Sequence, residues 1–323
     1  MMRMPLPNQV KVHGKTVADA PARPTWLDDL LSGVDSRLIT GSVPGLGLCI
    51  FELAGQRFVN ARITDAADLS DAEFERATTA AYGDIAAQFR IAPSRHAVRI
   101  WNYIPDIHHA CEEGLDRYMV FNAGRFKACQ KWLARNLEGG SAVEYLPTAS
   151  GVGHQGRDLV IDALGTEVKG VAVENPRQKP AYEYSRQYGP WPPCFARATM
   201  IPGANGQPDK LLVGGTASVL GETSVHERDL ISQIDETLEN LASLVRAASG
   251  RGRNGDNSGL LDGFREVRVY YPRRADAATI GRIVRERFSA RARIECVPAT
   301  LCRKELLVEI EGVVVGGETA CQQ

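Results

Sequence analysis

No stretch of this 323-residue chain approaches the roughly 20 consecutive apolar residues that a membrane helix needs. The opening MMRMPLPNQVKVHGK also lacks the apolar core of a signal peptide. Together these absences lead us to expect a cytosolic protein, away from the membrane. Charge of one sign is missing as well, because 38 Lys and Arg stand against 39 Asp and Glu for a net charge of −1. That balance leaves no electrostatic footprint for nucleic acid. Seven cysteines, at 49, 111, 129, 194, 296, 302 and 321, include no C-x-x-C pair. An odd, scattered set in a cytosolic chain argues against a disulfide framework and against structural zinc. His108 and His109 are adjacent, so on a helix or a strand they point different ways and read as a solvated pair. There is no G-x-G-x-x-G opening a helix, no Walker loop and no G-x-S-x-G, so neither a cofactor nor a metal is expected.

What is present is a repeat. At 35.2 kDa the chain is long for one core, and two domains are expected. In the second half FARATMI and KLLVGGTASV read as strands joined by a turn-rich segment. Ser224 lies three residues before Glu227 as a capping box, and Leu230, Ile231, Ile234, Leu238, Leu241 and Val245 follow at helical spacing. This predicts a helix from about 225 to 248. GRGRNGDNSG reads as a loop; then come a strand REVRVYY, a helix after Asp276, and strands ARIECVPA and ELLVEIEGVVV. The order is ββαβαββ.

The first half gives the same string. Its strands are GLGLCIFELA, QRFVNARI, AVRIWNYI, SAVEYLPT and RDLVIDALG, with helices SDAEFERATTAAYGDIAAQF and DRYMVFNAGRFKACQKWLARN. The final strand pairs read as hairpins, EYLPTA aligning with ECVPAT and DLVIDALG with ELLVEIEG across a longer loop ASGVGHQGR in the first copy. In that register Asp162 stands where Glu309 does. The expected division is an extension over 1–44, units over 45–165 and 195–315, a connecting segment over 166–194 and a tail over 316–323. Each unit should place two helices on one face of a mixed sheet, leaving the other face to pack sheet against sheet.

Within the last strand Leu306, Val308 and Ile310 make one apolar face, while Glu305, Glu309 and Glu311 share the other. That acidic face is either a solvated edge or the wall of a cleft between units, with Glu311 expected nearer the solvent. In the connecting segment Arg177, Lys179, Arg186 and Arg197 alternate with Tyr182, Tyr184, Tyr188 and Trp191. The mixture suits a small anionic ligand with an unsaturated ring, and equally a basic connector pinned to the sheets by its aromatics. GGTAS, residues 214 to 218, marks a bulge or lets a ligand approach the backbone closely.

These segments resemble a known family. The ββαβαββ unit, with YGPWPPCFARATMI, LLVGGTASVLGETS and LLVEIEG, is similar to the RidA/YjgF fold, an α+β class. The doubled form, with RIWNYIPDI, FNAGRFKA, LPTASGVG, ENPRQKPAYEYSRQYGPWPPCFARA and CRKELLVEIEG, resembles the chorismatases over about residues 45 to 315. The first unit is then a degenerate copy and the second the catalytic one. The resemblance implies chorismate as substrate, no cofactor, and a monomer or a RidA-like homotrimer. It implies a general-acid glutamate at Glu309, which protonates the enolpyruvyl methylene and so must hold its proton near neutral pH. Arg197 and Arg186 are the first choices for the substrate carboxylates, with Tyr184 and Tyr188 closing over the ring.

Gly215 and Cys302 are similar to the type that forms 3-hydroxybenzoate, with some 4-hydroxybenzoate, rather than to hydrolases yielding the dihydroxycyclohexadienoate. Gly215, Thr216 and Cys302 are therefore expected on the pocket wall. Two other readings stay open. One is imine deamination of the RidA type, whose carboxylate-binding arginine on the penultimate strand would be Arg293 only after a one-residue insertion. The other is a non-catalytic metabolite-binding role.

Overall fold

The structure, a computed structural model, describes residues 23–134, 145–203, 206–250 and 259–316. It opens with helix α1 (Thr25–Leu31) and strand β1 (Ser36–Thr40). The first ββαβαββ set then follows as β2 (Leu46–Leu53), β3 (Gln56–Ile63), α2 (Asp71–Arg90), β4 (His96–Pro105), α3 (Arg117–Ala134), β5 (Thr148–His154) and β6 (Leu159–Thr166). After the short strand β7 (Val171–Val173) comes the second set. It comprises β8 (Ala198–Ile201), β9 (Lys210–Ala217), α4 (Leu230–Ala248), β12 (Phe264–Tyr271), α5 (Ala277–Arg287), β13 (Arg293–Pro298) and β14 (Glu309–Val315). Strands β10 (Val219–Leu220) and β11 (Thr223–Ser224) form a small ribbon of their own just before α4.

The strands make two six-stranded sheets, ordered β1-β2-β3-β6-β4-β5 and β13-β12-β14-β9-β8-β7. In each sheet one helix carries the chain across to a parallel neighbour, β4 to β5 through α3 and β12 to β13 through α5. All other pairs are antiparallel.

Local chemistry accounts for the helices. A capping box of Ser70 and Glu73 starts α2, which buries Phe74, Ala77, Ala81, Tyr82, Ile85 and Phe89 along one stripe. Helices α2 and α3 cover one face of the first sheet, and α4 and α5 cover one face of the second. The two bare faces meet in a third apolar layer, where Phe51, Phe58, Trp101 and Tyr103 pack with Leu212, Tyr270, Leu306 and Val313. Strand alternation sorts β14 accordingly, since Ile310 and Val314 belong to the helix-side core, as does Val308 just before the strand; Leu306, expected on the same face, precedes the strand and joins the inter-sheet layer instead.

Several expectations are corrected. The strand expected over SAVEYLPT runs instead over Thr148–His154, through the segment read as a loop; residues 141–144 lie outside the described residues. The last two strands of each unit do not form hairpins, because β6 and β14 insert between strands that precede them in the chain. The α4 cap is Asp229, whose side chain accepts from the Ser232 N–H, rather than Ser224, which the β10–β11 ribbon holds in a strand. GRGRNGDNSG lies mostly outside the described residues, as does the tail.

The internal register also shifts. Each central ladder carries one irregularity, at Ala97/Arg99 in the first sheet and Phe264/Glu266 in the second. Superposing them matches Trp101, opposite Asp162, with Arg268, opposite Glu311. Asp162 therefore corresponds to Glu311, and Val160 occupies the place of Glu309.

Candidate active site

A cavity of about 350 Å³ opens where the first sheet's β5 edge and α3 face the β9 and β14 strands of the second. Its floor is Glu309, the first residue of β14, which is paired on one side with Ala217 and on the other with Tyr270. The side chain is 4% exposed and turned towards Gly215 of β9, where an added Cβ would overlap Oε1 of the carboxyl. Any larger residue there would have to displace the carboxyl. Burial pushes the Glu309 carboxyl up to about 8, and the neighbouring Glu311 carboxylate adds to the rise while Arg99 and Arg197 oppose it. Among the described residues, no side chain hydrogen-bonds to it.

Glu311 is a different kind of carboxylate. The expectation that it lies near solvent is corrected: it is 3% exposed. Its Oε2 accepts from Arg99 Nη2 at 2.7 Å and from the Ser150 hydroxyl. Its Oε1 accepts from Trp101 Nε1 at 2.9 Å and from the Tyr270 hydroxyl at 3.2 Å. The strand turns these side chains inward because its other face is occupied by helix packing.

Three guanidinium groups reach the cavity. Arg197 is 6% exposed; its Nη2 donates to the Lys179 carbonyl at 3.0 Å and to the Tyr184 hydroxyl at 2.6 Å, while Nε faces no acceptor among the described residues. Arg303 lies 3.9 Å over the Tyr188 ring and is anchored by the Glu222 carbonyl and the Ser224 hydroxyl at 2.9 and 3.0 Å. Arg125 projects from α3, is 2% exposed, and donates to Asn122 Oδ1 at 2.7 Å, its Nε again without an acceptor among the described residues. A buried cation short of acceptors is poised to take an anion. The Tyr184 and Tyr188 rings, 5.3 Å apart, complete the wall, and burial drives the Cys302 thiol up to about 12, so it stays neutral.

Of the residues singled out by sequence, the cavity brings together Glu305, Glu309, Tyr184, Tyr188, Arg197, Gly215 and Cys302; His108, expected in a solvated pair, is half-buried and lines the cavity as well. Arg186 is not brought in: it is exposed on the outer side of a 3-10 turn, Arg186–Tyr188, that directs Tyr188 inward. Thr216 is not on the wall either; strand alternation turns it away from Gly215, and its hydroxyl donates to the Gly214 carbonyl at 3.1 Å. Arg177 and Lys179 pair with Glu236 and Glu222, so they hold the connector in place. Trp191 stacks on Phe126 at 5.0 Å, pinning the same connector to α3. Arg293 sits away from the cavity, paired with Glu266 and Asp29.

Sequence reading missed Arg125, Tyr118, Ser150 and Arg303 as wall residues. Arg125 did carry a signal, a charge within the apolar stripe of Phe121, Ala128, Cys129 and Trp132. Ser150 lay in the stretch taken for a loop. Among the described residues, no cluster of three or more His, Cys, Asp or Glu is arranged to hold a metal. No helix among them is long and apolar enough to cross a membrane.

Two copies of one ββαβαββ unit packed bare face to bare face, with a buried carboxyl and three arginines lining a cavity between them, define a doubled α+β protein with a site suited to a small anion. Residues 53–165 match the family described as Chorismatase FkbO/Hyg5-like, N-terminal. The chain is 38% identical over 246 residues to a 3-hydroxybenzoate synthase from Streptomyces hygroscopicus, covering 75% of this chain and 70% of that protein. It is 34% identical over 218 residues to a chorismatase from Streptomyces rapamycinicus, covering 67% of this chain and 63% of that protein. A crystal structure of a chorismatase superposes with a TM-score of 0.70 at 28% identity, over 87% of this chain and 79% of that one. The chain belongs to the chorismatase family.

Proposed function

We propose that the protein converts chorismate to 3-hydroxybenzoate and pyruvate, with Glu309 as the general acid. The observation that carries this reading is a carboxyl at the floor of the cavity that burial keeps protonated at neutral pH. Such an acid delivers its proton to the terminal methylene of the enolpyruvyl ether, giving an oxocarbenium ion. Chorismate is a dianion, and Arg125, Arg197 and Arg303 supply the complementary charge for its two carboxylates. Tyr184 and Tyr188 lie alongside, where a planar ring would rest.

The product follows from what meets the oxocarbenium. If the ring hydroxyl lies behind the breaking bond, it displaces pyruvate intramolecularly, and rearrangement gives the aromatic acid. Capture by water would need space and a hydrogen-bond partner beside the acid. Gly215 is filled by the Glu309 carboxyl and Cys302 presents a neutral, weakly polar thiol, which favours the intramolecular route. The name of the 38%-identical relative, 3-hydroxybenzoate synthase, supports the same product.

The test is to incubate pure protein with chorismate, assay pyruvate, and separate the ring product by chromatography. Pyruvate with 3-hydroxybenzoate is the expected outcome. A non-aromatic dihydroxy acid would make the protein a hydrolase, and absence of pyruvate would reject enzymatic turnover of chorismate.

A further inference from the structure

With Glu309 as the acid, a second buried carboxylate on the same strand face remains unassigned. Glu311 receives four donors, from Arg99, Trp101, Ser150 and Tyr270, and no acceptor faces it among the described residues. Four donors around two oxygens match the acceptor capacity of a carboxylate. Three of the four donors belong to the first sheet, Arg99 and Trp101 on β4 and Ser150 on β5. The charge on Glu311 is thus held in place by the unit that lacks the acid.

Ser150 does more than donate. Its hydroxyl accepts from the Gly215 N–H at 2.8 Å. The ladder between β14 and β9 slips between Ile310 and Gly312, and the Gly214 N–H turns to the Arg197 carbonyl at 2.9 Å. The bulge leaves the Gly215 N–H for a partner from the other sheet, at the backbone against which the Glu309 carboxyl lies.

We propose that Glu311 is a positioning residue for the acid: its fixed negative charge keeps the proton on Glu309, and through Ser150 it holds the Gly215 backbone under the Glu309 carboxyl. This rests on the reading of Glu309 as the acid. The groups acting on Glu309 are Glu311 from its own strand, Arg99 from β4, Arg197 just before β8, the Cys302 thiol and the Tyr118 phenol from α3. Burial keeps the last two neutral, and the two arginines favour the ionised acid. Like charge from Glu311 works against them, and after each proton delivery it also favours Glu309 taking a proton back.

The experiment is the pH profile of kcat/KM for chorismate. Wild type should lose activity as pH rises through about 8, where Glu309 ionises. Glu311→Gln removes the like charge and unmasks Arg99, so the falling limb should move down by about one pH unit. Glu311→Asp keeps the charge and should restore it. Glu311→Gln leaves Arg99 buried without its partner, which threatens folding. The double variant Arg99→Gln with Glu311→Gln is therefore the second arm; it keeps a neutral hydrogen-bonding pair, and its limb should fall by about half a unit, because Glu311 acts on Glu309 more strongly than Arg99 does. If Glu311 only ties the sheets together, either variant will lower thermal stability and leave the limb unmoved, which overturns the proposal. Glu309→Gln separates the two ideas: unimpaired turnover there rejects the acid assignment itself. Loss of turnover there with an unmoved limb in the Glu311 variants rejects only the positioning role.

Discussion

Replacing Glu309 by Gln should stabilise the protein while disabling it, and the size of the stabilisation follows from burial. The carboxyl has an ordinary value of 4.5 and is raised to about 8 in the folded chain. A group whose folded pKa lies above its unfolded one gives stability that is fully present below the unfolded value and lost as pH rises through the folded value. For Glu309 that window runs from about pH 4.5 to pH 8. At about 1.36 kcal/mol per unit, wild type should lose about 3 kcal/mol from this one group between pH 5 and pH 8. Gln has the same shape and no proton to lose. The difference in unfolding free energy between Glu309→Gln and wild type, measured by urea denaturation, should therefore grow by about 3 kcal/mol in favour of the variant across that range. All other titrations are shared and cancel. Turnover at pH 7 should meanwhile fall by at least roughly 10²-fold, the usual cost of losing a general acid. A stability difference that is flat with pH would refute the claim that Glu309 holds its proton by burial, and near-normal turnover would refute its catalytic role.

Arg197→Ala should weaken binding of a stable chorismate analogue by about 2 kcal/mol, roughly thirtyfold in Kd, because a substrate carboxylate loses a charged donor; calorimetry showing unchanged affinity would return Arg197 to a purely structural place beside Tyr184. Gly215→Ala forces the new methyl into the Glu309 carboxyl and should cut turnover by roughly 10²-fold through misplacement of the acid; steady-state kinetics with circular dichroism to confirm folding reads this out. Cys302→Ala opens room beside the acid and should raise the fraction of dihydroxy acid in the product, seen by chromatography; an unchanged product ratio would remove Cys302 from the control of water.

The repeat was legible because each unit obeys local rules. Strand alternation, helical spacing and turn composition gave the ββαβαββ order twice, and the α2 helix begins at a capping box that is visible in the sequence. What local rules cannot show is which strands become neighbours. β6 and β14 insert between earlier strands, so a hairpin reading of adjacent sequence was wrong, and with it the alignment of Asp162 on Glu309. The strand β5 was misplaced because ASGVGH has the glycine and serine content of a loop, yet it is an edge strand paired in parallel to β4. On the site, Glu309 stood out as an acid within an apolar strand. Arg186 and Arg197 looked alike in sequence, and only a 3-10 turn, invisible to periodicity, sends one outward while the other faces the cavity.

The same register explains why only the second unit has a carboxyl at the place of Glu309. Val160 fills the place of Glu309 in the first unit, and the β3–β6 ladder runs without the slip that β9 and β14 show. Asp162, the counterpart of Glu311, survives as a buried carboxyl bonded by Asn60 and facing Arg23. The first unit thus has neither a carboxyl at this place nor the bulge beside it, yet it supplies Arg99, Trp101 and Ser150 to Glu311 and Tyr118 and Arg125 to the cavity wall. Neither half alone assembles that set. The proposed acid, carried by the second half, therefore depends on the first half, which surrounds Glu311 and lines the cavity.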